Sequence, residues 1–130
     1  SVSFLGKVTP AQIEELYASV DCAIFPSQVS ILQQAKCSVR LATTLLHGVP
    51  VIASAVGEQA NYGAAGAARL VAADATPEEL AQAVIEVLHD PEAQQKMIEQ
   101  ARTQLGKHYQ WQQLGQRLDG WYRGLPNSQQ

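Results

Sequence analysis

The stretch Leu45-Leu46-His47-Gly48-Val49-Pro50-Val51-Ile52-Ala53-Ser54 decides the fold, because a helical segment ends within it and an apolar strand begins. Gly48 is a residue type that commonly follows the last turn of a helix. The segment Ala35–His47 before it contains neither glycine nor proline, so we predict a helix there. The apolar run Val49–Ser54 predicts a strand that is buried on both faces of a parallel sheet.

The chain before this stretch contains two further apolar runs with a helix between them. Val2–Leu5 and Asp21–Phe25 predict strands, and the continuous apolar character of the second indicates burial on both faces. Thr9 can cap the intervening helix, with Pro10 in its first turn and Gln12 closing a capping box. A strand, a helix and a strand are therefore expected ahead of the deciding stretch.

The chain after Ser54 is predicted to contain one short strand and then helices. We expect a glycine- and alanine-rich loop over Gly57–Gly66 and a strand over Ala68–Val71. Three helices follow, beginning after Thr76, at Asp90-Pro91 and near Trp111. The last helix carries an apolar stripe that we assign to the core, formed by Trp111, Leu114, Leu118, Trp121 and Tyr122.

Strands that alternate with helices predict an α/β fold with a parallel sheet and right-handed crossovers. We expect part of a Rossmann-like, doubly wound sheet, with three to four parallel strands followed by C-terminal helices. Such a sheet is roughly half of a complete doubly wound domain. The domain is predicted to cover residues 1–125, and residues 126–130 to form a frayed polar tail.

Composition excludes several classes of function. The net charge is −3 and lysine and arginine form no cluster, so nucleic acid is not an expected partner. No apolar run approaches the ~18–20 residues that span a bilayer. Cys22 and Cys37 fit neither a metal-ligand nor a disulfide spacing, and we expect two buried thiols in a reducing compartment.

Ligands of open parallel sheets bind at the carboxyl ends of the strands, where the loops after Leu5, Phe25 and Ser54 are expected to meet. The second loop runs into the predicted helix start that contains Lys36, Ser38, Val39 and Arg40. Free N–H groups and the positive end of the helix dipole favour a phosphate or diphosphate there. Lys36 and Arg40, four positions apart, would share a helical face beside that anion, although both side chains also fit a role as ordinary solvated charges.

Two other residues fall near this edge of the predicted sheet. Glu58 lies in the loop after the strand that ends at Ser54, where it either contacts a ligand or remains a solvated carboxylate. Cys37 lies inside the candidate site, but no histidine is close in sequence, which favours an inert thiol over a nucleophile. We assign no catalytic residue and no metal ligand.

The segment Lys36–Ser54 resembles the donor-binding segment of retaining GT-B glycosyltransferases of group 1 (family 4-like). In that group a basic residue, two apolar residues and a glutamate precede a short helix and Gly-x-Pro-Val-Val-Ala-Ser. Further matches follow in the same order along almost the whole chain: Val2–Val8, Leu16–Ser27, Val56–Glu58, Gly66–Val71, the helix at Asp90 and Tyr109-Gln110-Trp111.

The resemblance implies the C-terminal half of a nucleotide-sugar-binding domain in a cytoplasmic hexosyltransferase of polysaccharide biosynthesis. It implies transfer from a UDP- or GDP-sugar with retention of configuration, without a metal or cofactor. By carry-over, Ser38 to Leu41 lie near the diphosphate, Arg40 holds the basic position, and Thr43 occupies the place of a ribose-binding glutamate. The group's N-terminal acceptor domain would precede residue 1, and we expect the fragment alone to be inactive.

Two departures from the group's pattern leave alternatives open. The group has two glutamates eight positions apart, and this chain has Ala35 and Thr43 there. Thr43 can offer a ribose hydroxyl one hydrogen bond, which is weaker than a carboxylate accepting two. The chain therefore binds a different donor, binds its donor more weakly, or is a catalytically degenerate GT-B module that acts in protein interaction or oligomerisation. An isomerase on the same architecture is a third reading, and its acidic and histidine residues cannot be located in this sequence.

Overall fold

A computed structural model describes residues 2–124, which form a small parallel sheet with helices on both faces. The strands are β1 (Ala23–Phe25), β2 (Val51–Ser54) and β3 (Arg69–Val71). The helices, in chain order, are α1 (Pro10–Ser19), α2 (Ile31–Ala35), α3 (Val39–Leu46), α4 (Glu58–Tyr62), α5 (Pro77–Leu88), α6 (Pro91–His108) and α7 (Trp111–Gly124). A 3-10 turn at Ala64–Gly66 precedes β3. The α/β class and the parallel sheet are confirmed, and the predicted tail 126–130 lies outside the described residues.

The strand from the deciding stretch forms the centre of the sheet. The three strands lie in the order β1-β2-β3, all parallel, with Ile24 opposite Ile52 and Ala53 opposite Leu70. Every residue of β2 is buried, as predicted. Because side chains alternate across a strand, Val51 and Ala53 join a core with α3 and α6, whereas Ile52 packs with Ala83 and Val87 of α5. β2 therefore joins the two helical layers.

The predicted helix starts at Thr9 and Thr76 are confirmed in atomic detail. The Thr9 hydroxyl accepts a hydrogen bond from the Gln12 N–H while the Gln12 side chain accepts one from the Thr9 N–H. Thr76 and Glu79 form the same reciprocal pair at the start of α5. Each pair satisfies two N–H groups that the first turn of a helix leaves free, which fixes where the helix begins.

Two strand predictions need correction. Val2–Leu5 does not form a strand, and its large side chains are exposed. A strand requires a hydrogen-bonded neighbour, and within residues 2–124 no strand lies beside this segment. The strand at Asp21–Phe25 is shortened to Ala23–Phe25, and Ile24 is 51% exposed rather than buried on both faces. It forms the edge of the sheet, and within the described chain the face that carries Ile24 is only partly covered.

Three helical predictions also differ from the structure. The predicted helix Ala35–His47 is divided at Lys36–Ser38 into α2 and α3. The predicted loop Gly57–Gly66 contains α4 and the 3-10 turn. The stripe on α7 is not core within the described part of the chain, because four of its members are largely exposed: Trp111, Leu118, Trp121 and Tyr122. Cys37 is exposed as well, so the expectation of two buried thiols is wrong.

Among residues 2–124, no helix combines the length and the apolar character needed to cross a membrane.

Candidate functional site

The carboxyl end of β1 faces the start of α3 across a cavity of about 330 Å³. β1 contributes Phe25 and the loop behind it contributes Ser27, while α4 contributes Gln59. Three of the predicted site residues also line it: Lys36, Ser38 and Arg40. The structure therefore places these three residues around one cavity at the carboxyl edge of the sheet, where ligands bind in this class of fold.

Ser38 fixes the start of α3 beside this cavity. Its backbone is not helical, with φ −91° and ψ 85°, and its hydroxyl accepts a hydrogen bond from the Leu41 N–H at 3.4 Å. The Ala42 N–H bonds to the Ser38 carbonyl at 3.1 Å. These bonds occupy the N–H groups of the third and fourth helical residues, while those of Val39 and Arg40 point outwards along the helix axis. The first turn can therefore donate hydrogen bonds to an anion.

The two basic residues reach the cavity from different elements. Lys36 ends α2, with φ −81° and ψ 130°, and lies ahead of α3, whereas Arg40 lies in the first turn of α3. The predicted arrangement, in which both lie on one helical face, is wrong because the chain is extended between them. Both side chains nevertheless line the same cavity, and both residues are exposed. Two positive charges therefore flank the helix start from two directions.

Two hydrogen bonds at Ser27 join the elements beside the cavity. The Ser27 N–H donates to the Ser54 hydroxyl at 3.0 Å, which links the ends of β1 and β2. The Gln59 amide donates to the Ser27 hydroxyl at 3.0 Å and attaches α4 to the same point. Sequence reasoning did not assign Ser27 or Gln59 to the site. Pro26-Ser27 signalled the strand end, but the role of Gln59 depends on α4, which was predicted to be a loop.

Val39 and Thr43 lie on the other side of α3, in a second cavity of about 460 Å³ between α3 and α6. Leu105 and Tyr109 form part of its opposite wall. The Thr43 hydroxyl donates to the Val39 carbonyl at 2.9 Å, so its proton is used within the helix. The structure thus divides the predicted site residues between two cavities that share the first turns of α3.

Glu58 lies beside the second cavity, in contact with Tyr109. It begins α4 and accepts hydrogen bonds from the Asn61 amide at 3.0 Å and from the Tyr109 hydroxyl at 3.2 Å. Burial, followed by the Glu58 charge, raises the pKa of Tyr109, which keeps this phenol protonated as a donor. Glu58 is therefore a positioned, half-buried carboxylate held by two donors.

The loop between α2 and α3 is attached to α4 through Cys37. The Cys37 sulfur lies 3.2 Å from the hydroxyl of Tyr62, a residue of the core. Burial, and then the neighbouring Cys37, raise the pKa of Tyr62. The ring of Tyr62 also packs on Tyr109, with ring centroids 5.0 Å apart. These contacts hold the residue that precedes Ser38, and so support the helix start at the first cavity.

A comparison with protein families matches residues 1–104 to the family described as "Glycosyl transferases group 1". A search of curated proteins found no significant match. The family match includes the sheet, the first cavity and the start of α3, and it covers most of the chain, whereas Leu105 and Tyr109 of the second cavity lie beyond it. This chain therefore belongs to the group 1 glycosyl transferases.

Proposed function

We propose that this chain binds the donor of a retaining glycosyl transfer, a UDP- or GDP-sugar, with its diphosphate at the start of α3. The observation that supports this most directly is the cavity at the carboxyl edge, where Lys36 and Arg40 flank the first turn of an eight-residue helix. The partial positive charge of that turn and two cations would stabilise a diphosphate both when bound and as a leaving group.

We propose that the donor nucleotide lies across the first turns of α3. The ribose would then approach Thr43 in the second cavity, where Tyr109 and Glu58 form a hydrogen-bonded pair behind it. Val39 lines the second cavity, is 70% exposed and would contact the nucleotide through its apolar side chain. In this arrangement all six predicted site residues lie around one ligand: Lys36, Ser38, Val39, Arg40, Thr43 and Glu58.

The setting of the site is part of the same proposal. Residues 1–125 would form the donor half of the cleft, and an N-terminal domain of the same protein would supply the acceptor half. The reaction would be a hexosyl transfer in polysaccharide biosynthesis. Cys22 and Cys37 are free cysteines, which supports a reducing compartment such as the cytoplasm.

Neutralising the two cations should weaken donor binding without unfolding the protein. We expect Lys36→Ala and Arg40→Ala each to reduce affinity for the preferred UDP- or GDP-sugar about threefold to tenfold, because both side chains are exposed and screened by solvent. The double variant should lose about 10–100-fold, since the two charges act on one diphosphate. Titration calorimetry on the complete protein, at low and high salt, measures these losses.

Lys96→Ala is the matched control for each single substitution, since Lys96 is an exposed lysine on α6 whose removal also takes away one positive charge. Its affinity should match that of the unmodified protein. A double variant of Lys36 and Arg40 that binds as tightly as this control would disprove the assignment of the diphosphate to the start of α3.

Introducing a carboxylate at position 43, where the group has a glutamate, should strengthen donor binding. We expect Thr43→Glu to raise affinity for the nucleotide sugar about tenfold, because a carboxylate accepts two charge-assisted hydrogen bonds from ribose hydroxyls. Thr43→Gln is the control, since it has similar size and no charge. The same titration measures both variants, and equal or weaker binding by Thr43→Glu would show that the ribose does not approach this residue.

A catalytically degenerate module is the second candidate function. The observation that favours it is that Ala35 and Thr43 carry no carboxylate, while the Thr43 hydroxyl already donates to Val39. A product assay on the complete protein, with UDP- and GDP-sugars, separates the two candidates. Turnover would exclude the degenerate module, and binding without turnover, or no binding at all, would favour it.

A further inference from the structure

Helix α1 is attached to the rest of the described chain by few contacts. None of its residues is fully buried in the part of the chain that the structure describes, and Ile13, Leu16 and Tyr17 are only half-buried. Its best-defined side-chain contacts are with the C-terminal end of α3. The Tyr17 ring stacks on the His47 ring, with centroids 4.3 Å apart, and the Tyr17 hydroxyl lies 3.4 Å from that of Thr44. The docking of α1 therefore depends on a small polar contact.

The His47 ring occupies the middle of that contact. Its Nδ1 lies 2.7 Å from the Thr43 carbonyl oxygen, and its Nε2 lies 3.0 Å from a carboxylate oxygen of Glu14 in α1. A carbonyl and an ionised carboxylate accept hydrogen bonds and donate none. Both ring nitrogens must therefore carry a proton for both contacts to be hydrogen bonds. Only the imidazolium form of His47 satisfies its two partners.

We propose that a proton on His47 acts as a latch that fastens α1 to α3, so that the docking of α1 depends on pH. In the neutral ring, Nδ1–H can still donate to the Thr43 carbonyl, but Nε2 then directs a lone pair at the Glu14 carboxylate. An attraction is thereby replaced by a repulsion between two acceptors. Among the described residues, the titratable groups in contact with the ring are Glu14 and Tyr17 from α1, and the guanidinium of Arg102 from α6 lies beside the next residue, Gly48.

The direction of the pH effect follows from the contacts. The hydrogen bond to Thr43 raises the pKa of His47, burial of the ring opposes this, and the hydrogen bond and charge of Glu14 raise it further. A histidine whose pKa is higher in the folded state stabilises that state below its unfolded value, near 6.5. This contribution is lost as the pH rises through the folded pKa. The latch is therefore closed at mildly acidic pH and opens as the pH rises through the pKa of His47 in the folded chain, which lies above 6.5.

An NMR titration of the His47 ring in the 130-residue chain tests the latch directly. We expect Glu14→Gln to lower the pKa of His47 measurably, because the hydrogen bond and the charge of Glu14 are lost while the backbone contact to Thr43 remains. Glu15→Gln is the matched control, because Glu15 is a neighbouring exposed carboxylate that does not contact the ring. It should leave the titration of His47 almost unchanged.

Hydrogen exchange of the α1 amides supplies the second measurement. Relative to α5 in the same sample, protection of α1 should fall between pH 5.5 and pH 8.5 in the unmodified chain, about twofold to threefold. The fall should be smaller in Glu14→Gln. Equal titration of His47 in Glu14→Gln and Glu15→Gln, or protection of α1 that does not change with pH, would overturn the proposal. Neither measurement requires a ligand, so both outcomes are independent of the proposed donor site.

Discussion

Gly57→Ala is expected to lower the free energy of unfolding by about 3 kcal/mol, from backbone strain and steric overlap together. Gly57 has φ +53° and ψ −134°, which residues with a side chain rarely adopt. A Cβ at this position would lie 2.6 Å from the Gln34 carbonyl oxygen and 2.8 Å from the Gln34 Cα. Both atoms belong to the backbone of α2, so they cannot turn aside as a flexible side chain would. Urea unfolding, followed by circular dichroism, measures the loss.

The same substitution should also weaken donor binding at the start of α3. Gln34 lies two positions before Lys36, and any shift of α2 away from the new Cβ would move Lys36 and the residue that begins α3. We expect affinity for the nucleotide sugar to fall at least as far as in the single Lys36→Ala variant. Titration below the unfolding transition separates this loss from unfolding.

Gly66→Ala is the matched control for the steric part of the effect. Gly66 also has a positive φ, +83°, but a Cβ there would meet no atom within 4 Å among the described residues. Its substitution should cost about 1 kcal/mol, from conformation alone, and should leave donor affinity unchanged. Equal losses of stability in the two variants would contradict the role that we assign to the close packing of Gly57 against α2.

The elements that the sequence predicted correctly are those set by local chemistry. Val51–Ser54 is almost entirely apolar, and a continuous apolar run is typical of a strand that is buried on both faces. Such a strand lies inside the sheet, as β2 does. The helix starts at Thr9 and Thr76 depend on residues three positions apart, so they can be recognised without knowledge of the rest of the fold. In each case the signal and the contact lie within a few residues of each other.

The division between α2 and α3 was missed because it leaves a weak local signal. The segment Ala35–His47 contains no glycine or proline, and Ser38 reads equally well as an interior helical residue or as a cap. What breaks the helix lies elsewhere in the chain: Gly57 packs against Gln34, and Tyr62 contacts Cys37. These contacts cross more than twenty positions of sequence. Sequence periodicity does not report contacts of that kind.

Only part of the site could be predicted, because the rest depends on contacts between residues that are far apart in the sequence. Lys36, Ser38 and Arg40 meet in one cavity because a helix start at the carboxyl edge of a sheet is a property of the topology. Thr43 lies beyond them on a different face of α3, and its side chain is turned towards α6. Which face a helical residue presents to which neighbour depends on the packing of α6, and this could not be obtained from α3 alone.

The apolar stripe on α7 shows what sequence periodicity cannot predict. Its spacing is helical and α7 is a helix, yet Trp111 is 88% exposed and Trp121 is 60% exposed within the described chain. A periodic apolar face predicts that a helix forms and that one side prefers burial. It does not state which surface covers that side.

Leu45→Ala is expected to cost about 3 kcal/mol of unfolding free energy, the cost of a cavity in a packed core. Leu45 is 1% exposed and packs in the cluster that contains Val51 and Ala53 of β2 and Leu105 of α6. Its side chain thus fills the space where α3 meets both the sheet and α6. In a sheet of three short strands, few other contacts can compensate for its loss. Urea unfolding at neutral pH measures the change.

Leu46→Ala provides a control at the next residue of the same helix. Leu46 is 58% exposed, and the two substitutions change helix propensity and hydrophobicity equally, so they differ only in burial. We expect Leu46→Ala to change stability by less than about 0.5 kcal/mol. A loss in Leu46→Ala as large as in Leu45→Ala would mean that the outer face of α3 is also covered, and that the sheet is not the main surface that holds α3. The difference between these two neighbours therefore decides which surface holds the helix that begins at the proposed diphosphate site.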